Sequence, residues 1–129
     1  MSSTVVLVGG AIGTAIRAAL EFAFPAQPGG WPWATFLINV SGSFLLGLLL
    51  ETLSRRRLDV GVRRLLRLGL GTGVMGGYTT YSSFAVETVR LLGLGGGAIA
   101  VGAGYALGSV VLGLAGAFAG MWVATRWSR

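Results

Sequence analysis

Few side chains in this sequence are equipped for chemistry, and those few lie in or beside long apolar runs: Asn39, Thr79, Tyr81, Ser83, Phe84 and Glu87. Four of them follow Gly76-Gly77-Tyr78-Thr79-Thr80, where two glycines stand beside two β-branched hydroxyl residues, a combination that reads as a turn in water. Here it lies inside the apolar stretch Leu65–Leu94. A helix interrupted at membrane depth frees backbone carbonyls and N–H groups, and in a bilayer each must find a partner. Interrupted helices are also where membrane transporters place ions. The stretch therefore predicts an ion site built partly of backbone. Asn39 is an amide in the body of a helix and must bond another helix, water or an ion. Tyr81 and Phe84 are three apart and share a face, which serves either core packing or an anion met by electropositive ring edges. Thr79, Ser83 and Glu87 recur every four residues on a neighbouring face. Glu87 has Arg90 one turn on, so a local pair and a place at a pore mouth are both open. Arg17 either draws anions toward an entrance or snorkels.

The elements that position these residues follow from composition. The chain has 129 residues, 53% hydrophobic and 11% charged, a membrane composition with room for one small domain of a few helices. Cysteine and histidine are absent, which excludes thiolate or imidazole metal sites, disulfides and His-dependent catalysis. All ten basic residues are arginine against four acids. So apolar a chain is not a soluble nucleic-acid binder, and the basic loops suit a cytoplasmic leaflet. Met1–Thr4 has no basic run, so no cleavable leader is expected. No nucleophile–base pair is visible, and an enzyme is not expected.

Four spans are expected, at about 4–24, 34–53, 65–94 with a break at 76–80, and 98–125, in one transmembrane domain. Gly9 and Gly13 form a GxxxG pair, and Ser43 and Gly47 another small pair, for close helix approach. Trp31, Trp33, Trp122 and Trp127 suit the interfaces. Asn39 and Ser43 share a face of the second span, which also carries Thr35 and Ser41. Glu51–Arg64, with Arg55, Arg56, Arg57, Asp59, Arg63 and Arg64, is expected to be a connecting loop with room for a short amphipathic turn. On the fourth span Gly104, Gly108, Gly116 and Gly120 make a smooth stripe, with Tyr105 and Ser109 on the next row.

Three segments resemble one family, the small fluoride channels of the CrcB/Fluc type. Gly9–Arg17 resembles its GGxxGxxxR opening, Thr35–Phe44 its GTLxxNxxGSF helix with Ala34 for the first glycine, and Gly76–Phe84 its GGxTTFSTF break, with Glu87 at the position of its acid. Each alone is modest, whereas three in order on a chain of this length are highly specific. The resemblance implies an all-α membrane protein of four transmembrane helices, the third broken near the bilayer midplane, paired as an antiparallel dimer. Two pores at the dimer interface would pass fluoride passively out of a prokaryotic cell. It further implies that Asn39, Thr80, Tyr81, Phe84, Tyr105 and Ser109 line the fluoride path, that Arg17 and Glu87 serve its vestibule, and that the carbonyls of Gly76 and Thr79 hold one structural sodium ion between two chains. Two departures stand out: Tyr81 replaces the usual phenylalanine, and Gly113 sits where a serine often continues the polar track.

Two other readings compete. A small proton-coupled drug exporter would need a buried carboxylate in its first span, and Val5–Leu20 has none. A non-conducting partner subunit, completing the pore of an oppositely oriented paralogue, is kept open by the departures and by charge. With four spans, eight arginines fall on the side of the two termini and at most two, Arg17 and Arg90, on the other. Such a bias predicts a mostly fixed orientation with both termini cytoplasmic.

Overall fold

A computed structural model describes residues 1–55, 60–127 and 129, and all regular structure among them is helical. Helix α1 spans Ser2–Ala23, α2 Trp33–Arg55, α3 Val60–Leu66, α4 Gly76–Tyr78, α5 Tyr81–Leu94 and α6 Gly97–Trp127. Between α3 and α4 the chain winds as a π-helix over Arg67–Met75. Three helices, α1, α2 and α6, are long and apolar enough to cross a membrane. The 31 residues of α6 extend about 46 Å at 1.5 Å rise per residue, so this helix tilts or emerges from a hydrocarbon layer of about 30 Å.

The expected loop Glu51–Arg64 is helical at both ends, because α2 continues to Arg55 and α3 begins at Val60. Arg56, Arg57 and Asp59 lie outside the described residues. At the end of α2 the Arg55 guanidinium bonds Glu51 one turn back, a local pair that supports the longer helix.

The interruption in the third apolar segment is narrower than the expected 76–80. Gly76 keeps right-handed helical angles, and Gly76–Tyr78 is helical. Only Thr79 (φ −76°, ψ 154°) and Thr80 (φ −143°, ψ 121°) are extended. Extended backbone costs a β-branched residue little, so the threonines take the turn. Gly77 is used for contact instead, since a Cβ there would meet the Gly10 carbonyl and the Thr14 amide, whereas Gly76 has open space around it.

That contact belongs to a general device. The buried apolar residues are few: Phe36, Ile38, Leu53, Leu91, Tyr105 and Ala124. Large apolar side chains instead cover the outside, among them Leu7 and Ile12 on α1 and Leu107, Val111 and Phe118 on α6. Such an exterior has no hydrophobic drive to collapse in lipid, so helices associate through close backbone packing. Helix α1 packs along the π-helical run and α2 along α6. Gly9 and Gly13 are both buried in the first seam, where a Cβ on Gly13 would fall on the Val74 carbonyl and 2.8 Å from the Tyr78 nitrogen. In the second seam Gly116 lies against the Val40 carbonyl and Gly120 against the Phe44 carbonyl, whereas Gly104 and Gly108 face the Trp31 ring.

Gly13→Ala is therefore expected to destabilise the protein by about 1–3 kcal/mol, because the added methyl meets backbone that cannot swing aside. Gly93→Ala, in α5 with open space around it, is the control and should be neutral or slightly stabilising. Thermal unfolding of both variants in detergent checks the contrast.

Candidate functional site

The site is assembled around Thr79–Thr80. Asn39, in the middle of α2, grips both backbone groups of Thr80: Nδ2 donates to the Thr80 carbonyl at 2.9 Å, and Oδ1 accepts from the Thr80 N–H at 2.8 Å. One amide thus meets a donor and an acceptor that the interrupted helix cannot pair internally. The approach is close because Gly42, three residues on from Asn39, has no side chain where the Thr79 methyl and the Tyr78 ring lie. Ser43 donates to the Asn39 carbonyl at 2.9 Å, and Ser41 shares a hydrogen bond with the Tyr78 hydroxyl at 2.9 Å.

The remaining groups of the break divide into two sets. Thr80 caps α5, its hydroxyl accepting from the Ser83 N–H at 3.1 Å. The Thr79 N–H and hydroxyl both donate to the Met75 carbonyl at 2.9 Å. Arg17 reaches from α1 and donates from Nε to the Gly77 carbonyl at 3.1 Å. No donor among the described residues reaches the carbonyls of Gly76 and Thr79. Carbonyl oxygens are the donor set a hard monovalent cation prefers, so these two fit the expected cation role in chemical type.

Beside the break a groove of about 300 Å³ is lined by Asn39, Ser43, Thr79, Thr80, Tyr81, Phe84 and Ser109, together with Gly42, Leu46 and Val110. Five of the expected path residues meet there. Tyr81 stands at the rim, 81% exposed, with its ring 6.1 Å from that of Phe84. Ser109 is buried, and its hydroxyl has no partner among the described residues. Tyr105 shares a face of α6 with Ser109, one turn on, but does not line the groove. It is wholly buried behind the groove, with its ring 5.4 Å from Phe84 and 5.8 Å from Trp31.

The Tyr105 hydroxyl donates to Glu87 Oε2 at 2.9 Å, and Thr35 donates to the other oxygen, Oε1, at 2.9 Å. Of the two readings left open for Glu87, the local pair with Arg90 is not formed: the ion pairs among the described residues are Arg17–Glu21 and Arg55–Glu51. Glu87 is held instead by neutral donors from α2 and α6. Glu87 and Glu21 also face one cavity of about 150 Å³ with Thr35 and Ser83. Arg17 neither hangs free nor snorkels, since it bonds Gly77 and, at 3.4 Å, Glu21. Thr35 carries no role in the sequence pattern beyond being polar. The usable signal is its four-residue spacing from Asn39, which puts both on one face of α2.

These features describe a multi-pass helical membrane protein with a polar groove beside an interrupted helix. The chain belongs to the CrcB family: the family described as CrcB-like protein, Camphor Resistance (CrcB), matches residues 4–121. It is 49% identical over 123 residues to the Fluoride-specific ion channel FluC 2 of Leifsonia xyli subsp. xyli, covering 88% of this chain and 84% of that one. It is 44% identical over 119 residues to the Fluoride-specific ion channel FluC of Novosphingobium aromaticivorans, covering 90% of each. A protein of the same name from Agrobacterium fabrum is 41% identical over 121 residues, again covering 90% of each. The relatives are named as ion channels, which is not an enzyme family.

Replacing Asn39 by Leu removes the partners of both Thr80 backbone groups. It should cost about 2–6 kcal/mol, the sum for two buried backbone groups left unpaired. Asn39→Asp should fall between Leu and the native residue, since a carboxylate accepts from the N–H but cannot donate to the carbonyl. Unfolding midpoints in detergent give the order.

Proposed function

We propose that this chain forms a fluoride-selective channel that lets fluoride leave a bacterial cell down its gradient. One observation carries the reading: the groove beside the break offers hydrogen-bond donors and ring edges but no fully charged side chain. Asn39 Nδ2 carries two protons, and only one is used by the Thr80 carbonyl. The Ser109 hydroxyl is buried and unpartnered. Phe84 and Tyr81 add electropositive ring edges. Neutral donors beside aromatic edges suit a small, hard anion that must bind and then leave. The names of the relatives supply the anion.

In this reading Val60–Leu94 is a fourth crossing, interrupted near the midplane, and the groove is half of a pathway. Its rim residue Tyr81 is 81% exposed, which suits a second, antiparallel copy closing the path. The carbonyls of Gly76 and Thr79 from two copies would then supply four oxygens to one structural sodium ion. Glu87, with Thr35 and Tyr105, continues the polar lining toward the end of the molecule that carries Arg17 and Arg90. Lipid contacts the apolar exterior.

The test is fluoride efflux from liposomes holding the purified chain. Phe84→Ile should abolish efflux while the assembly still elutes as the wild type does. Unchanged efflux in that variant removes the aromatic assignment, and a wild type without efflux removes the channel.

Arginine distribution favours one specific version. The chain places Arg63, Arg64 and Arg67 just before the interrupted segment and Arg126 and Arg129 at its far terminus, against Arg17 and Arg90 on the opposite side. Fixed insertion with both termini cytoplasmic follows from such a bias, and the antiparallel partner is then an oppositely oriented paralogue. Terminal reporters active on opposite sides of the membrane should show one signal only. Equal signals from the same terminus would restore a homodimer of dual topology.

A further inference from the structure

We infer that Arg17 is a positioning residue for the cation site: by occupying the Gly77 carbonyl it directs the neighbouring carbonyls of Gly76 and Thr79 to the ion. The inference rests on the cation reading of the proposed function and adds a device to it. The helical run from Val60 ends at Tyr78, its dipole negative at that end, and of its last carbonyls Met75 is taken by Thr79. The oxygens of Gly76, Gly77, Tyr78 and Thr79 are left to compete for whatever positive group arrives. A cation free to choose among them would have no unique seat. Arg17 Nε lies 3.1 Å from the Gly77 oxygen, a tertiary bond spanning sixty residues of sequence, and removes that oxygen from the set.

A guanidinium beside a cation site is also a liability, because like charges repel. The structure answers this with Glu21, one turn on from Arg17, whose Oε2 lies 3.4 Å from Nη1. Both side chains are partly shielded, at 23% and 28% exposure. Arginine is suited to the task because its planar fork donates from Nε and Nη1 at once, to a carbonyl on one side and a carboxylate on the other. A lysine has one nitrogen and cannot hold both in that geometry. Gly10 and Gly77 meet without side chains between them, which fixes the register of α1 against the break and brings Arg17 to the carbonyl. Arg90, at the same end of the molecule, makes no ion pair among the described residues and is the natural control for charge alone.

The experiment measures thermal stability of the purified protein against sodium concentration, with a bulky organic cation as replacement, and fluoride efflux over the same series. Wild type should be stabilised by sodium with a defined midpoint. Arg17→Gln should raise that midpoint by about tenfold or more, the loss expected of a hydrogen bond to a charged group. Arg17→Lys should raise it less, and Glu21→Gln should raise it through uncompensated charge. Arg90→Gln should leave it unmoved. A defect of folding alone would lower stability at every sodium concentration without moving the midpoint. A wild type indifferent to sodium overturns the cation reading and this inference with it. A responsive wild type whose midpoint is unchanged in Arg17→Gln overturns the positioning role alone. If Arg17→Gln does not assemble, Arg17→Lys decides, and a wild-type midpoint in that variant overturns the inference.

Discussion

Backbone that leaves a helix in apolar surroundings must still be hydrogen-bonded, and the rest of this structure depends on how that is done at Thr79–Thr80. Two extended residues leave donors and acceptors that water cannot reach in a bilayer. Asn39 takes both the N–H and the carbonyl of Thr80. The Met75 carbonyl takes two donors from Thr79, and Arg17 takes the Gly77 carbonyl. These partners come from α2, from the break's own preceding turn and from α1, so three parts of the chain are fixed relative to one another by the needs of two residues. The positions of Phe84 and Ser109 then follow, since α5 starts at the break and α6 packs on both α5 and α2.

Bringing those partners within reach depends on glycine more than on a hydrophobic core. A soluble protein of this size would draw its helices together by burying apolar side chains. Here those side chains point outward, and the seams are made where one helix touches the backbone of another. The cost is intolerance: at Gly13, Gly42 or Gly120 even a methyl group lands on atoms of the neighbouring segment. The benefit is that short polar side chains on opposite helices meet, as Ser41 meets Tyr78 and Asn39 meets Thr80.

Much of this was legible in the sequence, and the limits have physical causes. The interrupted segment, the glycine pairs on α1 and the shared face of Asn39 and Ser43 are local patterns, and period and spacing reveal them. Partners across helices have no such signature. Thr35 with Glu87 and Arg17 with Gly77 are separated by more than fifty residues, and nothing in spacing selects them over Arg90 or solvent. Local propensity misled once. Glycine is permissive, so the glycine pair drew attention as the turn, whereas the threonines accept extended backbone readily and Gly77 is needed for contact with α1. The π-helical run, which packs along α1, was illegible too, since no pattern of residue types marks its wider winding. The family resemblance named Tyr105 and Ser109 together, and the fold separates them, because one turn of α6 faces the groove and the previous one faces Glu87.

That separation bears on how the proposed path would handle an anion. Glu87 is acceptor-only when ionised, and it sits in reach of the same cavity as Glu21. Left bare, it would repel an anion from the path. Instead the hydroxyls of Thr35 and Tyr105 are turned onto its two oxygens, which spreads the negative charge and holds the carboxylate to one side. The groove ahead of it keeps the opposite character, with an amide proton and a hydroxyl unspent. A formal cation there would bind a small anion firmly and release it slowly. A lining of neutral donors and ring edges binds weakly at several points, and conduction needs binding that is favourable enough to enter and weak enough to leave. The arginine nearest the break is accordingly committed elsewhere, to a carbonyl and to Glu21, so the strongest positive charge in the neighbourhood serves the architecture and not the ion in transit.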